Sequence, residues 1–119
     1  MLFVEYPKCS TCQRAKKFLD AHGASYEDRH IKEQPPTAEE LDRWQQTSGL
    51  PLRKFFNTSG LLYKELGLKE RLDTMRREEQ LALLAGNGML VKRPILVNEH
   101  GVLVGFREAE WERMLSAAE

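Results

Sequence analysis

An α/β fold with one four-stranded mixed sheet, in the order βαβ, helical insert, ββα, is what this 119-residue sequence predicts. Three observations carry the prediction. The only two cysteines, Cys9 and Cys12, stand between a short apolar run and a helical pattern. Near the other end, two strand-like runs flank Glu99-His100-Gly101 and precede one amphipathic segment. A proline, in the pair Arg93-Pro94, stands directly before the first of those two runs.

In chain order, Leu2 to Tyr6 reads as a short strand bounded by Pro7. Ala15, Phe18, Leu19 and His22 then recur at helical spacing, and Gly23 stops the helix. Tyr26 to Ile31 is a second, weaker strand. Strand, cysteine loop, helix and strand make a βαβ unit, so the two strands are expected to run parallel. Pro35-Pro36 breaks the chain, and Thr37 is placed to cap a helix carrying Leu41 and Trp44, with Glu40 completing a capping box. Gly49 and Pro51 close that helix.

Residues 50–88 read as several short helices. Thr58 or Ser59 is the expected cap for one around Tyr63 and Leu66 that ends at Gly67. The charge-rich run from Lys69 to Glu79 reads as a solvated helix and its lead-in. Leu81, Leu84 and Ala85 form the apolar face of another, ending at Gly86 or Gly88. Ile95 to Asn98 and Val102 to Gly105 form a hairpin, and Glu108 to Ala117 a final helix with Trp111, Met114 and Leu115 inward. Trp44 and Trp111, at helical spacing with apolar neighbours, read as core or boundary residues. His100 in the hairpin turn is expected to be exposed and idle. Nothing divides the chain, so one domain over 1–119 is expected, with the insertion at about 37–90.

A βαβ unit followed by a hairpin and a helix is the topology of a thioredoxin-like fold. Such folds carry a cis-proline before the third strand, beside the active cysteine, and Pro94 takes that position. X-Pro bonds are the ones for which cis is cheap, about 0.5–1 kcal/mol.

Composition narrows the function. Eighteen basic and eighteen acidic residues cancel, so no overall charge draws the chain to nucleic acid or to an anionic membrane. The opening residues carry no basic n-region and are too short for a signal h-region or a membrane span. A cytoplasmic protein is expected. In a reducing compartment a C-x-x-C pair reads as catalytic, redox-sensing or metal-binding rather than as a permanent disulfide.

A reactive cysteine must be a thiolate, and a free thiol with a pKa of about 8.5 is mostly protonated at neutral pH. Cys9 sits where the helix begins, where unpaired backbone N–H groups and the helix dipole favour an anion, and Lys8 adds a neighbouring positive charge. Cys12, one turn further in, is expected to be more buried. Cys9 is then the attacking thiol and Cys12 the resolving one. A zinc site would need further ligands, and His22, His30 and His100 lack the usual spacing. Two inert buried thiols are the bland alternative. A phosphatase-like loop needs a cysteine and an arginine separated by five intervening residues; the notional arginine position is Ala15, and Arg14 falls one short. No metal and no cofactor are expected.

Cys9-Ser10-Thr11-Cys12, Lys92-Arg93-Pro94-Ile95 and Gly105-Phe106-Arg107-Glu108 together resemble the ArsC/Spx/MgsR family, as do Pro35-Pro36 and the run from Tyr63 to Leu68. The resemblance implies the same thioredoxin-like fold. Arsenate reductases of the family use a cysteine at the position of Cys9 and three arginines that hold the oxyanion. Arg93 matches one. A second falls in the stretch from Phe55 to Thr58, where no arginine occurs and Arg53 lies nearby; the third falls near Phe106, with Arg107 shifted by one. Each lost charged contact to a dianion costs roughly 1.5–3 kcal/mol. Arg93, Pro94, Arg53 and Arg107 are the implied substrate-binding residues.

Spx-type regulators carry a C-x-x-C switch and bind the C-terminal domain of the RNA polymerase α-subunit. Their basic C-terminal tail has no counterpart before Glu119, and Gly49 with Leu50 and Pro51 is a turn in either reading. The resemblance implies a thiol–disulfide oxidoreductase of arsenate-reductase-like type, recycled by a small thiol or a thioredoxin- or glutaredoxin-type protein. The alternative is a redox-sensing transcriptional regulator acting through the polymerase α-subunit. Neither binds nucleic acid directly or a membrane, and a monomer is expected.

Overall fold

The computed structural model describes residues 1–117. In chain order its elements are β1 (Leu2–Glu5), α1 (Ser10–Ala21), β2 (Glu27–His30), α2 (Ala38–Ser48), α3 (Leu61–Glu65), α4 (Leu68–Arg71), α5 (Arg77–Gly86), β3 (Ile95–Asn98), β4 (Gly101–Val104) and α6 (Glu108–Ala117). Short 3₁₀ turns at Leu52–Phe55, Leu72–Thr74 and Gly88–Leu90 punctuate the middle. The chain forms two compact units, Ile31–Lys92 and the segments on either side of it.

The outer unit holds the sheet, in the order β2-β1-β3-β4. β1 runs parallel to β2, with Phe3 beside Asp28 and Glu5 beside His30. β3 is antiparallel to β1 and to β4, pairing Leu96 with Phe3 and with Leu103. This is the mixed, thioredoxin-like sheet. Because side chains alternate along a strand, Phe3 and its register partner Leu96 turn to one face. Ala15 and Leu19 from α1 and Trp111 and Met114 from α6 close over them. Burying each such large apolar side chain is worth about 1.5–3 kcal/mol. Trp111 is fully buried, and its indole N–H donates to the Gly105 carbonyl at 3.0 Å, which offsets the cost of desolvating that group.

His22 leaves the apolar stripe that the spacing assigned it. It is exposed, with its ring 4.1 Å from that of Phe18 and its Nδ1 2.8 Å from the Phe18 carbonyl. The hairpin strand β4 begins one residue earlier than expected, and Gly105 lies past it at φ +79.

In the inner unit, the capping box at α2 is complete. Thr37 Oγ1 accepts from the Glu40 N–H at 3.1 Å, and Glu40 Oε1 accepts from the Thr37 N–H at 3.0 Å. Gly49 ends the helix in the left-handed region at φ +72, where a side chain would be strained. α5 packs against α2, and Arg77 Nη2 donates to Asp42 and, at 2.7 Å, to Gln45 Oε1.

One expectation fails in this unit. α3 is capped by Gly60, without a side-chain hydrogen bond, because the Ser59 hydroxyl is turned to Asn57. The charged run 69–79, expected as a solvated helix and its lead-in, holds the end of α4 at Arg71 and a 3₁₀ turn that leads through the extended Met75 into α5. Leu72, only 3% exposed, sits in that turn. Phe56 and Val91 form an antiparallel bridge, and the Lys92 N–H donates to the Phe55 carbonyl at 2.8 Å, which ties the end of the unit back to its middle.

Candidate functional site at Cys9 and Cys12

Cys9 is the N-cap residue of α1, extended at φ −86 and ψ 123. Its own N–H donates to the Tyr6 carbonyl at 2.9 Å, which turns the chain out of β1 and into the helix. Cys9 is half-buried and Cys12 is fully buried, and both are free thiols. Half-burial disfavours the Cys9 thiolate. Hydrogen bonds from the backbone N–H and the thiol of Cys12, the charge of Arg93 and the N–H of Thr11 outweigh it, and the Cys9 thiol lies below its ordinary value. Burial pushes Cys12 the other way, up to about 12. Its bond to Cys9 and the nearby charges of Cys9 and Glu5 add to that, against the pull of the Tyr6 N–H.

The cation that acts on Cys9 is therefore Arg93, not the sequence neighbour Lys8, whose side chain is exposed. Arg93 is positioned by Tyr6, with its guanidinium 5.4 Å from the ring centroid. The Tyr6 ring in turn meets His30 edge to face at 5.7 Å. The Arg93–Pro94 peptide is cis, Pro94 is buried, and its carbonyl accepts from the Gly105 N–H at 2.8 Å. Arg107 is 84% exposed, with Nε 3.7 Å from Glu110. Arg53 belongs to the inner unit, where it pairs with Asp73.

One residue near the thiols escaped sequence reading. Glu5, at the end of β1, is 4% exposed and is the buried charged side chain among the described residues. Burial, then a hydrogen bond to Asp28 and the charge of Asp28, raise its carboxyl to about 7, against the opposing charge of Lys16. Lys16 Nζ lies 2.8 Å from Asp28 Oδ2 and 3.1 Å from the Tyr26 hydroxyl. The available signal was an acidic residue inside the apolar run Leu2 to Tyr6. Among the described residues, no group of three or more His, Cys, Asp and Glu side chains is placed to hold a metal ion. No helix there is long and apolar enough to cross a membrane.

The sequence profile of the ArsC family matches residues 4–114, nearly the whole chain and both cysteines. The chain belongs to the ArsC family. As an ArsC-family chain it is 53% identical over 112 residues to YusI of Bacillus subtilis, a match covering 94% of this chain and 95% of that protein. It is 30% identical over 110 residues to the regulatory protein MgsR of the same organism, covering 92% of this chain and 86% of MgsR. Among solved structures, an ArsC family related protein from Bacteroides fragilis superposes with a TM-score of 0.92 at 57% identity, covering 95% of each chain. The family resemblance carried by the C-x-x-C, Arg-Pro and Gly-Phe-Arg-Glu segments thus holds across the chain.

Proposed function

We propose that this ArsC-family protein is a thiol–disulfide oxidoreductase in which Cys9 attacks and Cys12 resolves. The observation that carries the reading is the opposed setting of the two thiols, one favoured as thiolate at a helix start and the other buried and held protonated. Thiolate at Cys9 attacks a partner disulfide, forming a mixed disulfide and releasing one partner sulfur as thiolate. Cys12 then attacks Cys9, forming the Cys9–Cys12 disulfide and releasing the second. A small thiol or a thioredoxin- or glutaredoxin-type protein returns both cysteines to the reduced state by the reverse exchange.

Pro94 and Arg93 form the wall beside Cys9 on this reading, and Arg93 is the group that draws an anionic substrate. An arsenate-reductase-like variant of the reaction would recruit Arg107 to the same anion. The test is a reduced protein challenged with a small disulfide and analysed by mass spectrometry. Loss of two hydrogens, with a Cys9–Cys12 cross-link in the peptide map, supports the reading. A protein that keeps both thiols free sinks it.

The relationship to MgsR, named as a regulatory protein, favours a second reading in which the same thiol pair switches a protein contact. Purified C-terminal domain of the polymerase α-subunit, captured by one redox state of the protein and not the other, would favour the regulator. Arsenate-dependent turnover with a thiol donor would favour the enzyme.

A further inference from the structure

Phe3 packs under α1 in the core, so Glu5, two residues on in β1, shares that face. Asp28 is the register partner of Phe3 and presents its side chain to the same side, where Lys16 of α1 meets it at 2.8 Å. Cys12 lies four residues before Lys16, on the same stripe of the helix. A buried carboxyl on the strand, a carboxylate–ammonium pair beside it and the resolving thiol above it thus occupy one corner of the outer unit. We propose that Glu5 is the group that takes the thiol proton of Cys12 as Cys12 attacks the Cys9 mixed disulfide.

The proposal rests on the thiol–disulfide reading above. In this step the Cys12 Sγ–Cys9 Sγ bond forms and the bond from Cys9 to the partner sulfur breaks. The electron pair of the broken bond leaves on the partner sulfur, which departs as thiolate. The Cys12 proton goes to the Glu5 carboxylate. The partner disulfide is the oxidant, and the two cysteines are the reductant, so nothing else is consumed.

The destination of the proton is prepared by the neighbours. Protonated Glu5 donates to Asp28, and Lys16 balances the charge that Asp28 keeps. Asp28 itself is a poor proton acceptor: burial opposes its charge, but bonds from Glu5 and Lys16 hold its carboxyl below the ordinary range. Glu5, near 7, is matched to accepting a proton at neutral pH. The groups facing it are Asp28 and His30 from β2 and Cys12 and Lys16 from α1.

Reduced full-length protein is mixed with one equivalent of an aromatic nitrobenzoate disulfide that releases a coloured thiolate. The first release reports attack by Cys9 and the second reports attack by Cys12. In the wild type the second release slows as pH falls through about 7, where the Glu5 carboxylate is lost. Glu5→Gln slows the second release relative to the first by on the order of 10²-fold at neutral pH, the usual size of a general-base contribution. The gap closes in alkali, where hydroxide replaces the carboxylate, and Glu5→Asp restores part of the rate. Asp28→Asn, which removes the charge that raises Glu5, moves the wild-type bend to lower pH and reads out the same group if Glu5→Gln does not fold. A second release without a bend near 7, or one equally fast in Glu5→Gln, overturns the proposal alone. A wild type that gives the first release but neither the second nor a Cys9–Cys12 cross-link overturns the thiol–disulfide reading and the proposal with it.

Discussion

The Cys12 thiol donates a hydrogen bond to Cys9, and through that contact two cysteines in one motif are driven in opposite directions. The bond stabilises negative charge on Cys9 against the cost of its half-burial, while Cys12 is kept neutral by burial first and by its neighbour second. Only one of the pair is then favoured as thiolate.

Alkylation by iodoacetamide near neutral pH should modify Cys9 first. Cys9→Ser should abolish the fast phase. Cys12→Ser should retain it and accumulate mixed disulfides, since no second thiol is left to resolve them. A faster thiol at position 12 in the peptide map would contradict this assignment.

Arg93→Ala should move the alkylation midpoint of Cys9 to higher pH, because the guanidinium charge favours the thiolate. Lys8→Ala should leave that midpoint in place, as its side chain is exposed. Rate against pH for the two variants separates the nearby cation in space from the nearby cation in sequence.

Oxyanion binding should be weak. Arg107 is exposed beside Glu110 and Arg53 is paired with Asp73, which leaves Arg93 as the cation acting at Cys9. Calorimetry with arsenate or sulfate should give a Kd in the millimolar range or weaker, about −4 kcal/mol. Arg93→Ala should remove what binding there is. Tight binding that survives in Arg93→Ala but is lost in Arg53→Ala or Arg107→Ala would assign the anion to those residues instead.

Folding stability should fall as pH rises through neutrality. The Glu5 carboxyl titrates at about 7 in the folded chain against an ordinary 4.5, so its contribution is complete below the lower value and lost as pH passes the upper one. That interval corresponds to a ceiling of about 3 kcal/mol. Asp28 stays ionised throughout and adds no slope in this window. Thermal unfolding at mildly acidic and mildly alkaline pH should show a loss of Tm in the wild type that Glu5→Gln lacks. Equal slopes would refute the burial-driven shift.

Two glycines in the inner unit should respond with opposite signs. A Cβ on Gly88 would stand 1.9 Å from the Ile31 carbonyl oxygen, so Gly88→Ala must move backbone and should cost about 1–3 kcal/mol. Gly86, at the end of α5, has open space around its Cβ position, and Gly86→Ala should stabilise by roughly 0.5–1 kcal/mol. Denaturant midpoints for the two variants check both.

What the sequence determined by itself is whatever depends on a few consecutive residues. The capping box of Thr37 and Glu40, the stop at Gly49, the Pro94 position, the hairpin around Glu99-His100-Gly101 and the span of α6 were all legible, because caps and turns are set by groups one to four residues apart. The placement of both cysteines where β1 meets α1 was legible for the same reason. The tertiary structure decided what those groups experience. Glu5 ends a strand, where alternation alone would allow it to face water. It is buried because α1 covers that face, and its proton is held by Asp28, which is distant in the chain and adjacent in the parallel register. Leu72 is buried within a charged run that local pattern read as a solvated helix and its lead-in. The cation at Cys9 came from Arg93 across the sheet rather than from adjacent Lys8. Burial and charge act through space, and only the folded chain says which residues share it.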